Sequence, residues 1–342
     1  MKAYPQKHDR GFTLVELLVA LALGLALSAA VMQATLASLQ SRQLLDAAGR
    51  LQESGRFALA YLSKDLRTAG FMGCPNLGQV PLNVIAKDPP DDLDFTPGGV
   101  LKGYDNVSAG NPFAAVVGSD VLTLQRADPR MAGLTGNLSP NNANIQIDNN
   151  DAGLGAGDFV LITDCTHADL FEATTVSQNQ SAGNERFTIA HASNANDNNK
   201  LSKLYGSDAF LLGFQSVEYF VRDTGRTTAA GKPIHSLYVR ARQFDSATPR
   251  VAQELVEGVE NMQLSYGEDS NGDRAIDGYK TADNISDWSK VLSVRIELLL
   301  HSLEDNVVPD GQNLTYNSSL VPQDGRLRKV YTTAVAVRNR LP

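Results

Sequence analysis

Hydrophobic positions along the chain fall into three patterns. From Leu14 to Met32 they are nearly continuous, with Glu16 and Ser28 the only clearly polar residues, and about 20 apolar residues suffice to cross the ~30 Å hydrocarbon of a bilayer. From Leu44 they recur at three- and four-residue steps, at Leu44, Ala47, Leu51, Ala58, Leu62, Leu66 and Ala69, while Arg42, Arg50, Glu53, Arg56, Lys64 and Arg67 fall mostly elsewhere. That spacing is an amphipathic helix. The two stretches predict one helix, membrane-spanning in its first half and amphipathic in its second. Gly70 is its expected stop, because glycine readily takes the left-handed cap conformation. Gly24 and the Ser54-Gly55 pair are its expected soft points. Unbroken from Phe12 to Ala69, it would be about 87 Å long.

Past Gly70 the period becomes two. Val116 to Gln125, Asp158 to Asp164, Glu185 to Ala190, Gln215 to Arg222, His235 to Arg242, Val259 to Tyr266, Val291 to Leu300 and Lys329 to Arg338 alternate and are rich in β-branched and aromatic residues, which predicts strands. Turn-rich connections such as Asp223 to Pro233, with no helix-length crossovers, favour antiparallel pairing. The expected fold class is α+β: a long N-terminal helix packed on a predominantly antiparallel β-sheet globular domain. Two connections are long and polar, Met131 to Gly157 and Ser177 to Asp208 around a short strand containing Phe187. Such loops are either functional surfaces or structureless excursions.

Charge orients this layout. Lys2, Lys7 and Arg10 precede the span, so the positive-inside rule places the N-terminus in the cytoplasm and the rest of the chain across the membrane. The 342 residues carry a net charge of −8, and the first eleven hold three basic residues against Asp9, so the remainder is more acidic still. An acidic globe of this size can bury a substantial core and is a poor partner for nucleic acid. A carboxylate inside a span costs about 2.5–3.5 kcal/mol at its centre and is usually functional, so Glu16 needs a partner. A secretory signal shares the basic start and apolar middle, and Ser28-Ala29-Ala30 has the small residues of a cleavage site, but an acid at the head of its core would give such a signal nothing.

Gly11-Phe12-Thr13-Leu14-Val15-Glu16 resembles the class III signal of type IV prepilins. The resemblance implies cleavage after Gly11 by a membrane-embedded prepilin peptidase, N-methylation of Phe12 as the new terminus, and retention of the apolar helix. It also implies a partner for Glu16, the N-terminal amine of a neighbouring subunit, which would set register in the assembly. The domain layout expected from this is a leader over 1–11, a transmembrane half-helix over 12–33, an amphipathic half-helix over 34–70 and a β-rich globe over 71–342.

Further stretches extend the likeness: 255–267, Val291 to Glu297, Arg328 to Arg340, and Gly49 to Cys74 with Glu53-Ser-Gly-Arg-Phe-Ala-Leu59. These are similar to PilW-type minor pilins. That family implies a low-abundance subunit of the inner membrane that primes or caps a type IV pilus at its tip, with the major pilin, other minor pilins and a PilY-type adhesin as partners and roles in twitching motility and adhesion. A J-like minor pseudopilin of type II secretion shares the same N-terminus and anchored globe and is the alternative. A membrane-anchored enzyme is the third reading, and it has no catalytic motif behind it: Gly153 to Gly157 and Gly225 to Pro233 read as turns rather than nucleotide or phosphate loops.

Two constellations carry chemistry of their own. Cys74 and Cys165 lie in the exported part, where disulfides persist, and their pairing would close a loop of about 90 residues, worth roughly 4.6 kcal/mol in the loop-entropy account. Two buried thiols are the alternative. Asp269, Asn271, Asp273, Ala275 and Asp277 occupy the first, third, fifth, seventh and ninth positions of a calcium loop, the seventh through its carbonyl. Arg274 stands where such loops carry glycine, and Lys280 where they close with a bidentate Glu. A plain acidic hairpin around Asn271-Gly272 fits the same residues.

Overall fold

Helix α1 spans Leu14–Thr68, 55 residues without a break, in a computed structural model that describes residues 13–73, 80–87, 89, 93–135, 143–181, 184–241 and 251–340. It passes straight through Gly24 and Ser54-Gly55. In the apolar half the hydroxyls turn back onto the helix, Ser28 Oγ donating to the Gly24 carbonyl at 2.8 Å and Thr35 Oγ1 to that of Val31 at 2.9 Å, so neither is left bare in an apolar stretch. The helix ends where expected: Gly70 lies at φ 75, and its N–H donates to the Gln125 carbonyl at 2.8 Å, binding the exit from the helix to the globe.

The strands follow in three groups. The first is β1 (Leu82–Val84), β2 (Leu101–Tyr104) and β3 (Val121–Ala127); the second is β4 (Ala132–Gly133), β5 (Asn144–Ile147), β6 (Phe159–Thr163), β7 (Ala168–Glu172), β8 (Thr175–Ser181) and β9 (Asn184–Ala190). The third is β10 (Phe210–Thr227), β11 (Pro233–Ala241), β12 (Gln253–Glu257), β13 (Val259–Glu268), β14 (Gly278–Lys280), β15 (Val291–His301), β16 (Thr315–Tyr316), β17 (Ser319–Leu320) and β18 (Arg328–Ala336). All eight alternating runs of the sequence became strands. The first starts later than its pattern suggests, because Gly118 at φ 77 turns the chain before β3 begins.

Strand β10 is the spine. Its first residues pair with β6, its middle with β3 and its second half with β11, all antiparallel, and every residue from Leu211 to Val221 is buried. A strand covered on both faces reads as a continuous run rather than an alternation. Around it a nine-stranded sheet runs β1-β7-β6-β10-β11-β12, with β2, β3 and β4 attached. A second sheet, β14-β13-β15-β18, is antiparallel throughout.

One expectation needs correction. The polar stretches read as long loops contain strands β5 and β8, which pair with β9 in a three-stranded sheet; β8 is Thr-Val-Ser-Gln-Asn-Gln-Ser, too polar to signal a buried strand. The pairing is predominantly antiparallel, as expected, with β1 running parallel to β7. Asn83 on β1 donates to Asp169 on β7, and the fully buried Asp169 also takes bonds from Ser202 and Tyr205, so a satisfied buried carboxylate fixes that edge.

The core lies between α1 and the two large sheets. Leu51, Ala58, Leu62 and Leu66 of the helix join Leu122, Leu124, Val217 and Tyr219 of the first sheet and Met262, Leu264, Ile296 and Leu298 of the second in one buried cluster. Burying a leucine is worth about 1.5–3 kcal/mol, so three leucines already hold the lower half of α1 firmly.

Candidate assembly helix and its seating on the globe

Among the described residues, nothing covers the N-terminal half of α1. Leu14, Val15, Leu17, Leu18 and Val19 are each more than half exposed, as are Leu21, Leu23, Leu25 and Leu27, and the segment is long and apolar enough to cross a membrane. A row this apolar and this bare calls for a non-aqueous partner, lipid or other helices.

Glu16 begins the helix with a capping box. Its carboxylate Oε2 accepts from the Thr13 N–H and the Thr13 hydroxyl, each at 3.0 Å, while the Glu16 N–H donates to Thr13 Oγ1 at 3.3 Å. The acid therefore has a local use, satisfying donors at the helix start. Gly11 and Phe12, the expected cleavage and methylation positions, lie outside the described residues.

The lower half of α1 is keyed into the globe by shape and by charge. Its buried face is Ala47, Leu51, Gly55, Ala58, Leu62, Asp65 and Leu66. Leu44, expected in that stripe, is 39% exposed, because the globe begins one turn later. Gly55 belongs to the face because the Tyr331 ring of β18 lies against it: a Cβ there would sit 2.6 Å from the ring. The glycine that looked like a weak point is where the helix makes room for a ring of β18.

Asp65 is the charged key. Its two oxygens take a bidentate pair from Arg126 on β3, each at 3.0 Å, and one of them also accepts from the buried Tyr219 hydroxyl. Arg126 bonds Thr68 as well. A buried pair of this kind is costly to break from one side, by about 3–5 kcal/mol, which makes it a positional lock. Burial, with Asp65 beside it, pushes the Tyr219 phenol above its ordinary range and keeps it a donor. Nearer the membrane half, Arg50 reaches Glu304 at 2.6 Å and Gln43 the Asp305 carbonyl at 3.2 Å. Asn339 closes the far end with a bond to the Ala69 carbonyl at 2.8 Å. The lock was missed in sequence, although a lone acid three residues after Leu62 on an apolar stripe was its visible sign.

The other predicted residues lie away from the helix. Cys165 sits in the turn between β6 and β7 at φ 70; Cys74 lies outside the described residues. In the 269–277 turn the oxygens bind the turn's own amides. Asp269 accepts from Gly272 N–H at 2.7 Å and Arg274 N–H at 2.9 Å, Asn271 from Asp273 at 2.8 Å, Asp273 from Ala275 at 2.8 Å, and Asp277 from Ser270 at 2.8 Å. Arg274, at the position where calcium loops carry glycine, lies at φ 68. Lys280, at the closing position, instead pairs with Glu268 at 2.6 Å. Among the described residues no group of three or more His, Cys, Asp or Glu side chains is placed to hold a metal ion.

A bare apolar half-helix opened by a capped acid, continuous with a half keyed into a β-rich globe, defines the class: a prepilin-type anchored protein, and residues 6–32 match the prokaryotic N-terminal methylation motif. Residues 218–339 match the family described as Type IV Pilus-assembly protein W, a region that takes in the second half of β10 and everything through β18. Together these matches support a type IV pilin of the PilW family. Among solved structures, a type IV-like pilin from Thermus thermophilus is similar at 16% identity and a TM-score of 0.22, over 38% of this chain and 80% of that one. At that score it adds nothing to the assignment. No curated protein matches. The pilin matches point to a structural protein that engages other pilins and the prepilin peptidase and is anchored by its N-terminal helix.

Proposed function

We propose that this chain is a minor pilin that primes or caps type IV pilus assembly, and so supports twitching motility and adhesion. The observation that carries the reading is the division of α1: one half bare and apolar, the other locked by Gly55, Asp65 and Leu62 to a large globe. Such a helix transmits the position of its anchor rigidly to the globe.

In this reading the leader 1–11 is removed after Gly11, Phe12 becomes the methylated terminus, residues 12–33 span the inner membrane, and the globe from 71 onward lies in the periplasm until assembly carries it to the pilus tip. Glu16 then exchanges part of its bonding to Thr13 for the amine of a neighbouring subunit, a charge pair suited to an apolar bundle. Partners are the major pilin, other minor pilins and a PilY-type adhesin, with no role for nucleic acid.

A Cys74–Cys165 disulfide belongs to the same reading. Its support is that Gly73 packs against Thr163, where a Cβ would lie 3.2 Å from Thr163 Cγ2, two residues before Cys165. The 269–277 turn is a calcium candidate only through its spacing and the left-handed Arg274. Calorimetry on the full chain that finds no heat at millimolar calcium removes it.

N-terminal mass analysis of the membrane-extracted chain tests the processing: the expected terminus is a methylated Phe12, and a start near Val31 overturns the class. Gene deletion tests the role. Loss of surface pili and twitching with exoprotein secretion intact is expected; intact pili with failed secretion would instead favour the J-like pseudopilin of type II secretion.

A further inference from the structure

The first sheet has two unlike faces. One carries Leu122, Leu124, Val217 and Tyr219 into the core against α1. On the other, the register places Lys102, Thr123, Glu218 and Arg240 side by side across β2, β3, β10 and β11, with Gln125 and Ser216 paired in the adjacent row. Directly paired residues share a face and stand about 5 Å apart. This polar face is not flat to solvent, because it floors a cavity of about 850 Å³. Ligand pockets typically enclose about 300–1,000 Å³, with a few placed polar groups among apolar and aromatic walls.

The floor is held in place. Glu218, 3% exposed, is salt-bridged to Arg240, whose guanidinium lies over the Phe113 and Phe220 rings at 5.9 and 5.5 Å. Lys102 lies over Tyr104 at 5.5 Å. Trp288 also lines the cavity, set edge-on against Tyr266 at 4.8 Å, with Asp287 beside it holding the Ser289 N–H at 2.9 Å. Rigid polar groups and aromatic walls are therefore already arranged before anything binds, which lowers the cost of ordering them.

The chemistry of the lining narrows the occupant. Lys102 and Arg240 stand against Glu218, Asp287 and Asp94, so neither an anion nor a cation meets a field of one sign. An apolar ligand would strip water from the polar row without replacing its hydrogen bonds. A ligand bearing several hydroxyls, each both donor and acceptor, can bond carboxylate, amide and ammonium neighbours along one row. Its C–H faces suit the negative faces of aromatic rings. We propose that the cleft over β2, β3, β10 and β11, walled by Trp288, Tyr104 and Phe113, is a binding site for a neutral saccharide.

Trp288 is the chain's single tryptophan, so its emission reports occupancy. The full chain, in a polyoxyethylene detergent, is titrated with maltotriose, cellotriose and triacetylchitotriose. A saturable change with at least one of the three is expected at millimolar concentration or below. Gly98→Gln narrows the cleft where there is room for the change, a Cβ meeting Thr96 Oγ1 at 3.5 Å, and is expected to weaken binding by about tenfold with an unaltered circular dichroism spectrum. Lys102→Met, at an exposed floor position, is expected to weaken it without altering that spectrum. The absence of a saturable change with all three sugars overturns the proposal. So does an equal or stronger response to choline chloride or to a sulfated heparin trisaccharide, or a response undiminished in both variants.

Discussion

Asp120, just before β3, is 2% exposed and accepts backbone N–H bonds from Asn106 and Leu264, each at 2.7 Å. It ties the end of the first sheet to β13 of the second. Burial pushes its carboxyl up to about 6, the nearby Asp105 and Asp283 adding to the rise while the two amides oppose it. A carboxyl raised in the folded state binds its proton more tightly there than when unfolded. Its contribution is therefore fully present below about pH 4 and lost as pH rises through about 6, amounting to about 3 kcal/mol at 1.36 kcal/mol per pH unit. Asp120→Asn removes that titration, and its stability measured against pH by denaturant unfolding is expected to fall less between pH 4 and 6 than that of the parent chain. Equal slopes would refute the role. Sequence shows an acid between a glycine-bearing turn and an apolar run but not that two sheets close over it, because its amide partners stand 14 and 144 residues away. The Asp65–Arg126 lock, spanning 61 residues, was hidden for the same reason.

The period of the sequence carries helices and strands well, and contact decides the exceptions. A helix repeats its face every few residues, so the stripe from Ala47 to Leu66 was legible. Gly55 was legible only as a helix-weakening residue, since its reason is a ring from β18. Replacing it isolates that reason: Gly55→Ala raises helix propensity by about 1 kcal/mol, yet a Cβ would meet the Tyr331 ring at 2.6 Å. A net destabilisation of about 1–3 kcal/mol from overpacking is expected, read as a lower melting temperature of the full chain. A stabilised variant would show that the helix and β18 do not close this tightly. Strand β8 marks the opposite limit, because its polar sequence gives no alternating signal and only its pairing with β9 makes it a strand.

At the scale of the whole molecule, the chain joins a slender apolar rod to a globe of two larger sheets and two smaller ones. A subunit repeated along a fibre must fit identical neighbours on every side, and a globe of this bulk suits a single terminal position better. An antibody against the globe is accordingly expected to label fibre ends in immunogold images; even labelling along the shaft would contradict the tip assignment. What the sequence by itself determined is the anchor, its likeness to a prepilin signal, the single long helix and eight of the strands, all of which rest on periodicity or on adjacent residues. Only the tertiary structure decided which strands pair, that β1 runs parallel to β7, that Asp65 meets Arg126, and that a polar sheet face floors a cleft. These depend on contacts between residues far apart in the chain, and such contacts leave no local period to read.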